Sequence, residues 1–299
     1  MKQPSKSGKQ KNRRIIAGLP AYNEESYIGS IVLKTIQYVD EVIVIDDGST
    51  DKTAEIARLA GATVIQHKKN MGYGAGIQTL FTEAKKRNPD VLVLLDADSQ
   101  HEPDEIPELI QPIYQGFDIV IGSREENKED IPRYRRAGQR VIAYFSHMLS
   151  GENVSDSESG FRVFSNKAIS TLDMKETGMA ISAETIYRAA ENGLRITERP
   201  ISIRYPADGS TLNPVTHGFG VLSRIIVMIS ERRPLLFFGI SGVIAILLGV
   251  IAGFVALGII VGGGGAVSGW TLVAILLFVV GTFSIFTGLM LNVLMNRRG

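Results

Sequence analysis

The chain has 299 residues, enough for one large domain or two smaller ones. Its 32 Lys and Arg nearly balance 31 Asp and Glu, so net charge points to no particular partner and gives no ground for a nucleic acid ligand. Cysteine is absent, which excludes a disulfide framework and thiolate metal sites and suits a cytosol-facing protein.

Residues 1–14, MKQPSKSGKQKNRR, carry six basic side chains and no acid. No signal-peptide apolar segment follows, because IIAGLP is short and ends in proline. This stretch reads as a disordered tail that either attracts anionic lipid headgroups or simply solubilises the chain. From Ile15 to about Tyr205 the pattern alternates. The apolar runs IIAGL, EVIVI, ATVIQ, VLVLL and DIVIG predict strands, and Tyr27–Tyr38, Thr53–Ala60 and Ala75–Arg87 predict helices between them. Such alternation implies an α/β domain over 15–214, with a mostly parallel sheet covered by helices on both faces.

Polar motifs fall where these strands end. PAYNEE (Pro20–Glu25) follows the first, DDGSTD (Asp46–Asp51) the second and DADSQH (Asp96–His101) the fourth. The carboxyl edge of an open parallel sheet forms the ligand crevice, so the three motifs are expected to share a site. Ser49, Thr50 or Asp51 could alternatively cap the helix that starts near Thr53. NMGYGAG (Asn70–Gly76) imitates a dinucleotide fingerprint, but Ile77 stands where the third glycine belongs and the stretch follows the third strand. A glycine-rich turn into a helix fits it better.

Asp96 and Asp98 lie two residues apart and would share a face if the strand continued through them, with Gln100 next on that face. Two carboxylates and an amide oxygen make a hard oxygen site suited to Mg²⁺ or Mn²⁺. Such an ion keeps waters and takes phosphate oxygens, which points to a nucleotide diphosphate. His101 reads as a supporting histidine rather than a ligand.

From Pro234 to Asn296 the chain has no Asp, Glu, Lys, Arg or His. The apolar runs 235–261 and 270–294 each exceed the ~20 residues that cross a bilayer as helix. The turn GGGGAVSG between them predicts a transmembrane hairpin over 234–299. Arg232 and Arg233 before it, with Arg297 and Arg298 after it, place both ends and the α/β domain on the cytoplasmic side. Gly249, Gly253, Gly258 and Gly262 give small-xxx-small spacings that serve packing within the hairpin or, alternatively, homo-oligomer formation. Residues 215–233 mix Phe219, Leu222, Ile225, Ile226 and Ile229 with Arg224, Glu231, Arg232 and Arg233, as an amphipathic helix at the membrane interface or one packed on the sheet would.

Taken in order, PAYNEE, DDGSTD, the DAD of Asp96–Asp98 with Gln100 and His101, and GSR (Gly122–Arg124) resemble the family 2 glycosyltransferases, and among them the polyprenyl-phosphate sugar synthases such as dolichyl-phosphate mannose synthase. The resemblance covers about Arg14 to Tyr205. It implies a GT-A fold, Rossmann-like, a nucleotide-sugar donor and inverting transfer to a polyprenyl (dolichyl) phosphate. It also implies residue roles. Pro20, Tyr22 and Glu24 would line the nucleotide pocket, with Ile45 and Asp47 beside base and ribose. Asp96, Asp98 and Gln100 would hold the metal, with Ala97 close to the sugar nucleotide. Arg124 and Arg135, with Gln139, would meet the acceptor phosphate, Arg133 and Arg136 being neighbours of Arg135. DSESGFR (Asp156–Arg162) resembles a further family motif, with Asp156 on the acceptor side, and reads equally as a loop closing onto the next strand. Arg204 would close over the donor diphosphate. The lysine expected beyond it is missing, and Thr211 stands near its place.

The resulting expectation is a membrane-anchored, metal-dependent hexosyltransferase that uses GDP-mannose, UDP-hexose or UDP-N-acetylhexosamine. A transferase that extends a lipid-linked or polymeric saccharide is a rival, although its QxxRW motif is absent. A tethered, non-enzymatic nucleotide-sugar binding module is another, and the intact Asp96, Asp98 and Gln100 argue against it.

Overall fold

The computed structural model describes residues 13–124, 133–203, 214–262 and 269–296, with side chains for all of these except 133–139, 214–219 and 296. Contacts divide the chain into Met1–Leu222 and Ser223–Gly299.

The first unit is built on a seven-stranded sheet. Its strands are β1 (Ile15–Ala21), β2 (Glu41–Asp46), β3 (Thr63–Gln66), β4 (Val91–Leu94), β5 (Ile119–Ser123), β6 (Arg162–Ser165) and β7 (Ile196–Pro200). They lie in the order β3-β2-β1-β4-β6-β5-β7. All pairings are parallel except those of β6, which runs antiparallel to both β4 and β5. The five strands expected from the apolar runs all form, within a residue or two of their expected ends. β6, RVFS, is the strand onto which the DSESGFR loop could close, and β7 is an addition that its polar sequence, ITERP, did not announce.

Helices α1 (Ile28–Thr35), α2 (Thr53–Leu59), α3 (Tyr73–Arg87), α4 (Ile106–Tyr114), α5 (Arg133–Ser150), α6 (Asn166–Thr171) and α7 (Ile181–Glu191) complete the layers. The pleat sends alternate side chains to opposite faces. Ile43 and Ile45 enter one core with Leu80, Phe81, Phe164 and Ile186. Val42 and Val44 enter the other with Ile28, Val32, Leu109 and Val163. Each fully buried isoleucine or valine contributes on the order of 2 kcal/mol of hydrophobic stabilisation. Gly18 lets α3 approach β1 closely, since a Cβ there would fall 2.2 Å from the Leu80 methyls.

In the chain that follows, α8 (Pro214–Arg232) buries Val221, Ile225, Met228 and Ile229 and exposes Arg224, Glu231 and Arg232, which is the expected amphipathic division. α9 (Pro234–Val261) and α10 (Gly269–Asn296) have 28 residues each. At 1.5 Å per residue each spans about 42 Å, enough to cross a hydrocarbon core of roughly 30 Å. Both helices are long and apolar enough to cross a membrane. Of the glycines read in sequence, Gly249 packs closely on α10, and Gly242 and Gly281, which were not among them, mark a closer approach still. A Cβ on Gly242 would fall 2.7 Å from the Gly281 carbonyl, and one on Gly281 would fall 2.6 Å from that of Gly242. Gly249 meets the Ala274 carbonyl in the same way, whereas a Cβ on Gly258 would meet nothing within 4 Å. Ser284 Oγ donates to the Phe238 carbonyl (2.7 Å), adding a polar tie between the two helices.

Candidate active site

The loops after β1 and β2 are bound to each other. Asn23 N donates to Ser49 Oγ (2.9 Å), Thr50 N to Asn23 Oδ1 (2.9 Å), Glu24 N to Thr53 Oγ1 (2.8 Å) and Glu25 N to Asp51 Oδ2 (3.2 Å). Lys52 holds the cap position of α2 without a side-chain bond, and Asp51 accepts from Thr53 N instead (2.9 Å). PAYNEE and DDGSTD therefore form one rim at the carboxyl edge of the sheet, as the strand-end positions predict.

The strand does not continue through the acidic pair. β4 ends at Leu94 and Ser99 has φ of 63°, so a tight turn, not strand alternation, presents Asp96 and Asp98. Gln100 N donates to Asp98 Oδ1 (3.0 Å) across this turn. Asp96 is fixed from two sides. Tyr73 Oη, at the start of α3, donates to its Oδ1 (2.8 Å), and Gly160 leaves the space its Oδ2 occupies, where a Cβ would fall 1.7 Å away. Burial pushes the Asp96 carboxyl up. Burial, then the charge of Asp96, does the same for Asp98. Glu24 is pushed up to about 7 by burial, then by the charges of Asp98 and Asp96. Asp98 and Glu24 thus both feel the charge of Asp96.

Among the described residues no three Asp, Glu, His or Cys side chains stand close enough to form a ready cation cage. The donor set fits a different arrangement. Mg²⁺ binds through one or two carboxylates with several waters and substrate phosphates, and it would relieve the repulsion among Asp96, Asp98 and Glu24. His101 is buried, with its ring 5.5 Å from that of Phe161 and its Nδ1 without a hydrogen-bond partner. Burial drives its pKa down to about 4, so it packs as a neutral imidazole.

The remaining expected residues fall into four groups. Pro20 and Ile45 pair across β1 and β2 and lie under α3, with a Cβ on Gly76 falling 3.5 Å from Pro20 Cβ. Tyr22 is exposed and Ala97 buried. Asp47, expected beside base and ribose, has both oxygens engaged in this structure. Its Oδ1 accepts from Met71 N (2.9 Å) and lies 2.7 Å from His67 Nδ1, and its Oδ2 accepts from Gly72 N (2.8 Å). Asp47 thereby shapes the glycine-rich turn, in which Gly72 has φ of 98°. Third, Arg124 forks onto Asp156, with Nε to Oδ2 at 2.5 Å and Nη2 to Oδ1 at 2.6 Å, and its backbone N also donates to Oδ2 (3.2 Å). Burial opposes the Asp156 charge, yet the bonds from Arg124 hold its pKa below the usual carboxylate range. Gly160, in the same loop as Asp156, abuts the Asp96 carboxylate, which brings the pair beside the diacidic turn. Arg133, Arg135, Arg136 and Gln139 lie on the first turns of α5, their side chains outside the described ones, and Arg204 and Thr211 lie outside the described residues.

Several contributors were not foreseen. Tyr73 was hidden inside the glycine-rich run, and Gly160 inside DSESGFR. Arg162, fully buried, donates from Nε to the Ser159 carbonyl (2.8 Å), from Nη1 to that of Ser182 (3.0 Å) and from Nη2 to that of Ser157 (2.7 Å), and so locks the DSESGFR loop. The loop therefore closes onto β6, as one of the two readings of that motif expected, and its Asp156 is engaged with Arg124.

The mixed, mostly parallel sheet with helices on both faces is a GT-A type of fold, with a diacidic turn at its carboxyl edge and an adjoining arginine–carboxylate fork. The chain belongs to the glycosyl transferase family 2, which its residues 17–173 match. Dolichyl-phosphate hexose transferase of Haloferax volcanii is 34% identical, over 71% of this chain and 92% of that protein. The UDP-N-acetylglucosamine–dolichyl-phosphate N-acetylglucosaminyltransferase of Methanococcus voltae is 31% identical, over 70% and 94%. In fold the chain is similar to Mycobacterium tuberculosis glucosyl-3-phosphoglycerate synthase, crystallised with Mn²⁺, UDP and product, with a TM-score of 0.59, 21% identity and coverage of 74% of this chain and 80% of that one.

Proposed function

We propose that this glycosyltransferase moves a sugar from a nucleotide-sugar donor to a polyprenyl phosphate at the cytoplasmic face of a membrane. One observation carries the reading: the diacidic turn and the Arg124–Asp156 fork share one site, on a chain with two helices able to cross a bilayer. Relatives that act on dolichyl phosphate by name support it. Asp96, Asp98 and Gln100 would hold Mg²⁺ or Mn²⁺, which would supply neutralisation of the donor diphosphate. Glu24 and Asp47 border the donor side, through the rim and the turn they respectively build.

The chain's own groups perform the remaining work. A lipid monophosphate is ionised at neutral pH, so one of its oxygens can attack the anomeric carbon without a general base. A bond forms between that oxygen and carbon, the bond from carbon to the diphosphate oxygen breaks, and the nucleoside diphosphate leaves with the electron pair. Attack from the opposite side inverts the centre. Arg124 and Arg135 would align the acceptor phosphate, because a planar guanidinium presents paired donors to phosphate oxygens. The missing lysine after Arg204 leaves the donor among GDP-mannose, UDP-hexose and UDP-N-acetylhexosamine.

The test is incubation of the purified full chain with a panel of these nucleotide sugars and dolichyl or undecaprenyl monophosphate, followed by mass analysis of the lipid. A polyprenyl-phosphate monosaccharide that disappears with EDTA and with Asp98→Asn supports the reading. Transfer only to a preformed lipid-linked saccharide assigns the chain to the extending transferases, and donor binding without turnover assigns it to the binding modules.

A further inference from the structure

We propose that Glu198, on β7, is a positioning residue for transfer, acting through Asp156 on Arg124; the inference rests on the acceptor role given to Arg124 above. β7 is the edge strand beside β5, and Glu198 stands opposite Ile121 in the parallel register. Among the described residues its carboxylate forms no ion pair with a lysine or arginine. It reaches the loop that carries Asp156 and gathers that loop's donors. Oε1 accepts from Ser155 N (3.0 Å), Ser155 Oγ (3.0 Å) and Asp156 N (3.2 Å), and Oε2 accepts from Ser155 N (3.1 Å). Ser155 Oγ also lies 2.9 Å from Ser123 Oγ, at the end of β5.

These bonds hold the residue before each member of one ion pair, Ser155 through its backbone N–H and hydroxyl and Ser123 through its hydroxyl. Ser123 precedes Arg124, and Ser155 precedes Asp156. A single carboxylate therefore sets the separation between the strand that delivers the guanidinium and the loop that delivers its acceptor. Loop 155–159 has no strand ladder to hold its amides, and the charge-assisted bonds from Glu198 take that place. Arg162 anchors the far end of the same loop through the Ser157 and Ser159 carbonyls. Without Glu198, two adjacent backbone N–H groups lose their acceptor and the near end of the loop is released. Asp156 then no longer presents a fixed carboxylate to Arg124, and the guanidinium that should meet the incoming phosphate loses its orientation. The bonds of Glu198 go to the loop that carries Asp156, so its effect is expected to be selective for the step Arg124 serves.

Steady-state kinetics of the full chain in detergent, with dolichyl monophosphate and the active nucleotide sugar varied in turn, test this. Glu198→Ala is expected to lower kcat/KM toward dolichyl monophosphate by about 10- to 50-fold while KM for the nucleotide sugar stays within about threefold. Glu198→Gln keeps an oxygen acceptor for both amides and should recover most of the loss. Arg124→Ala is the reference. If it leaves acceptor kinetics unchanged, both the acceptor role of Arg124 and this inference fall. If it impairs acceptor use and Glu198→Ala does not, only this inference falls. Equal losses toward both substrates, tracking a drop in Tm, would make Glu198 a fold brace and overturn the proposal. Where Glu198→Ala does not fold, Glu198→Asp withdraws the carboxylate by one methylene. It must then show the same acceptor-selective loss, and unchanged kinetics in that variant would overturn the proposal.

Discussion

Gly160→Ala would displace Asp96 without altering a single polar group. A Cβ at Gly160 falls 1.7 Å from Asp96 Oδ2, 2.3 Å from Cγ and 2.6 Å from Oδ1, where ordinary contact begins at 3.4 Å. The Gly160 backbone itself accepts alanine, since it is not among the positive-φ glycines. The carboxylate must therefore retreat by about 1.5 Å, which is the overpacking case. That movement breaks the 2.8 Å bond from Tyr73. The combined cost is about 2–4 kcal/mol of stability, from overpacking and the lost hydrogen bond. If Asp96 holds the metal as proposed, a misplacement of this size should slow transfer on the order of 100-fold. Two measurements check it: the rate of sugar transfer, and Mn²⁺ affinity in the presence of nucleoside diphosphate, followed by electron paramagnetic resonance. Tyr73→Phe removes the hydrogen bond alone and should give a smaller loss in both. A folded Gly160→Ala protein with rate and Mn²⁺ affinity within about threefold of the parent would refute the assignment of Asp96 to the site.

Three further outcomes are expected. Burial pushes Glu158 up to about 8, with Arg162 opposing and Asp156 adding, and its Oε1 has no hydrogen-bond partner. A folded-state value above the ordinary 4.5 means the carboxyl's stability contribution is present below pH 4.5 and lost as pH rises through 8. The Tm advantage of Glu158→Gln should accordingly open above pH 4.5 and stop growing above pH 8; a gap independent of pH would contradict this. Gly281→Leu should lower the thermal stability of the chain in detergent by about 1–3 kcal/mol through overpacking against α9, whereas Gly258→Leu should be neutral, and equal effects would deny the close crossing. The arginine pairs flanking the hairpin predict that a Ser268→Cys variant, in a chain without other cysteines, is labelled only from the side opposite the α/β domain. Labelling from the cytoplasmic side alone would invert the topology.

The sequence by itself determined the features that depend on local spacing. Five apolar runs with helices between them specified a mostly parallel sheet, because side-chain periodicity and strand length are local properties. Motif positions at strand ends placed PAYNEE, DDGSTD and DADSQH at one edge, and 63 residues without a charge, from Pro234 to Asn296, marked the membrane hairpin. Tertiary structure alone decided how the site is held. β6 enters between β4 and β5 in the reverse direction, a choice made by pairing partners far away in the chain rather than by the four residues RVFS. Tyr73 meets Asp96, Glu198 meets Ser155, and Ser284 meets Phe238, across separations of 23, 43 and 46 residues. No periodicity encodes contacts of that kind. They follow from which surfaces come together when the sheet closes its layers, and a tyrosine, a glycine or a glutamate gains its role only from what the fold sets opposite it.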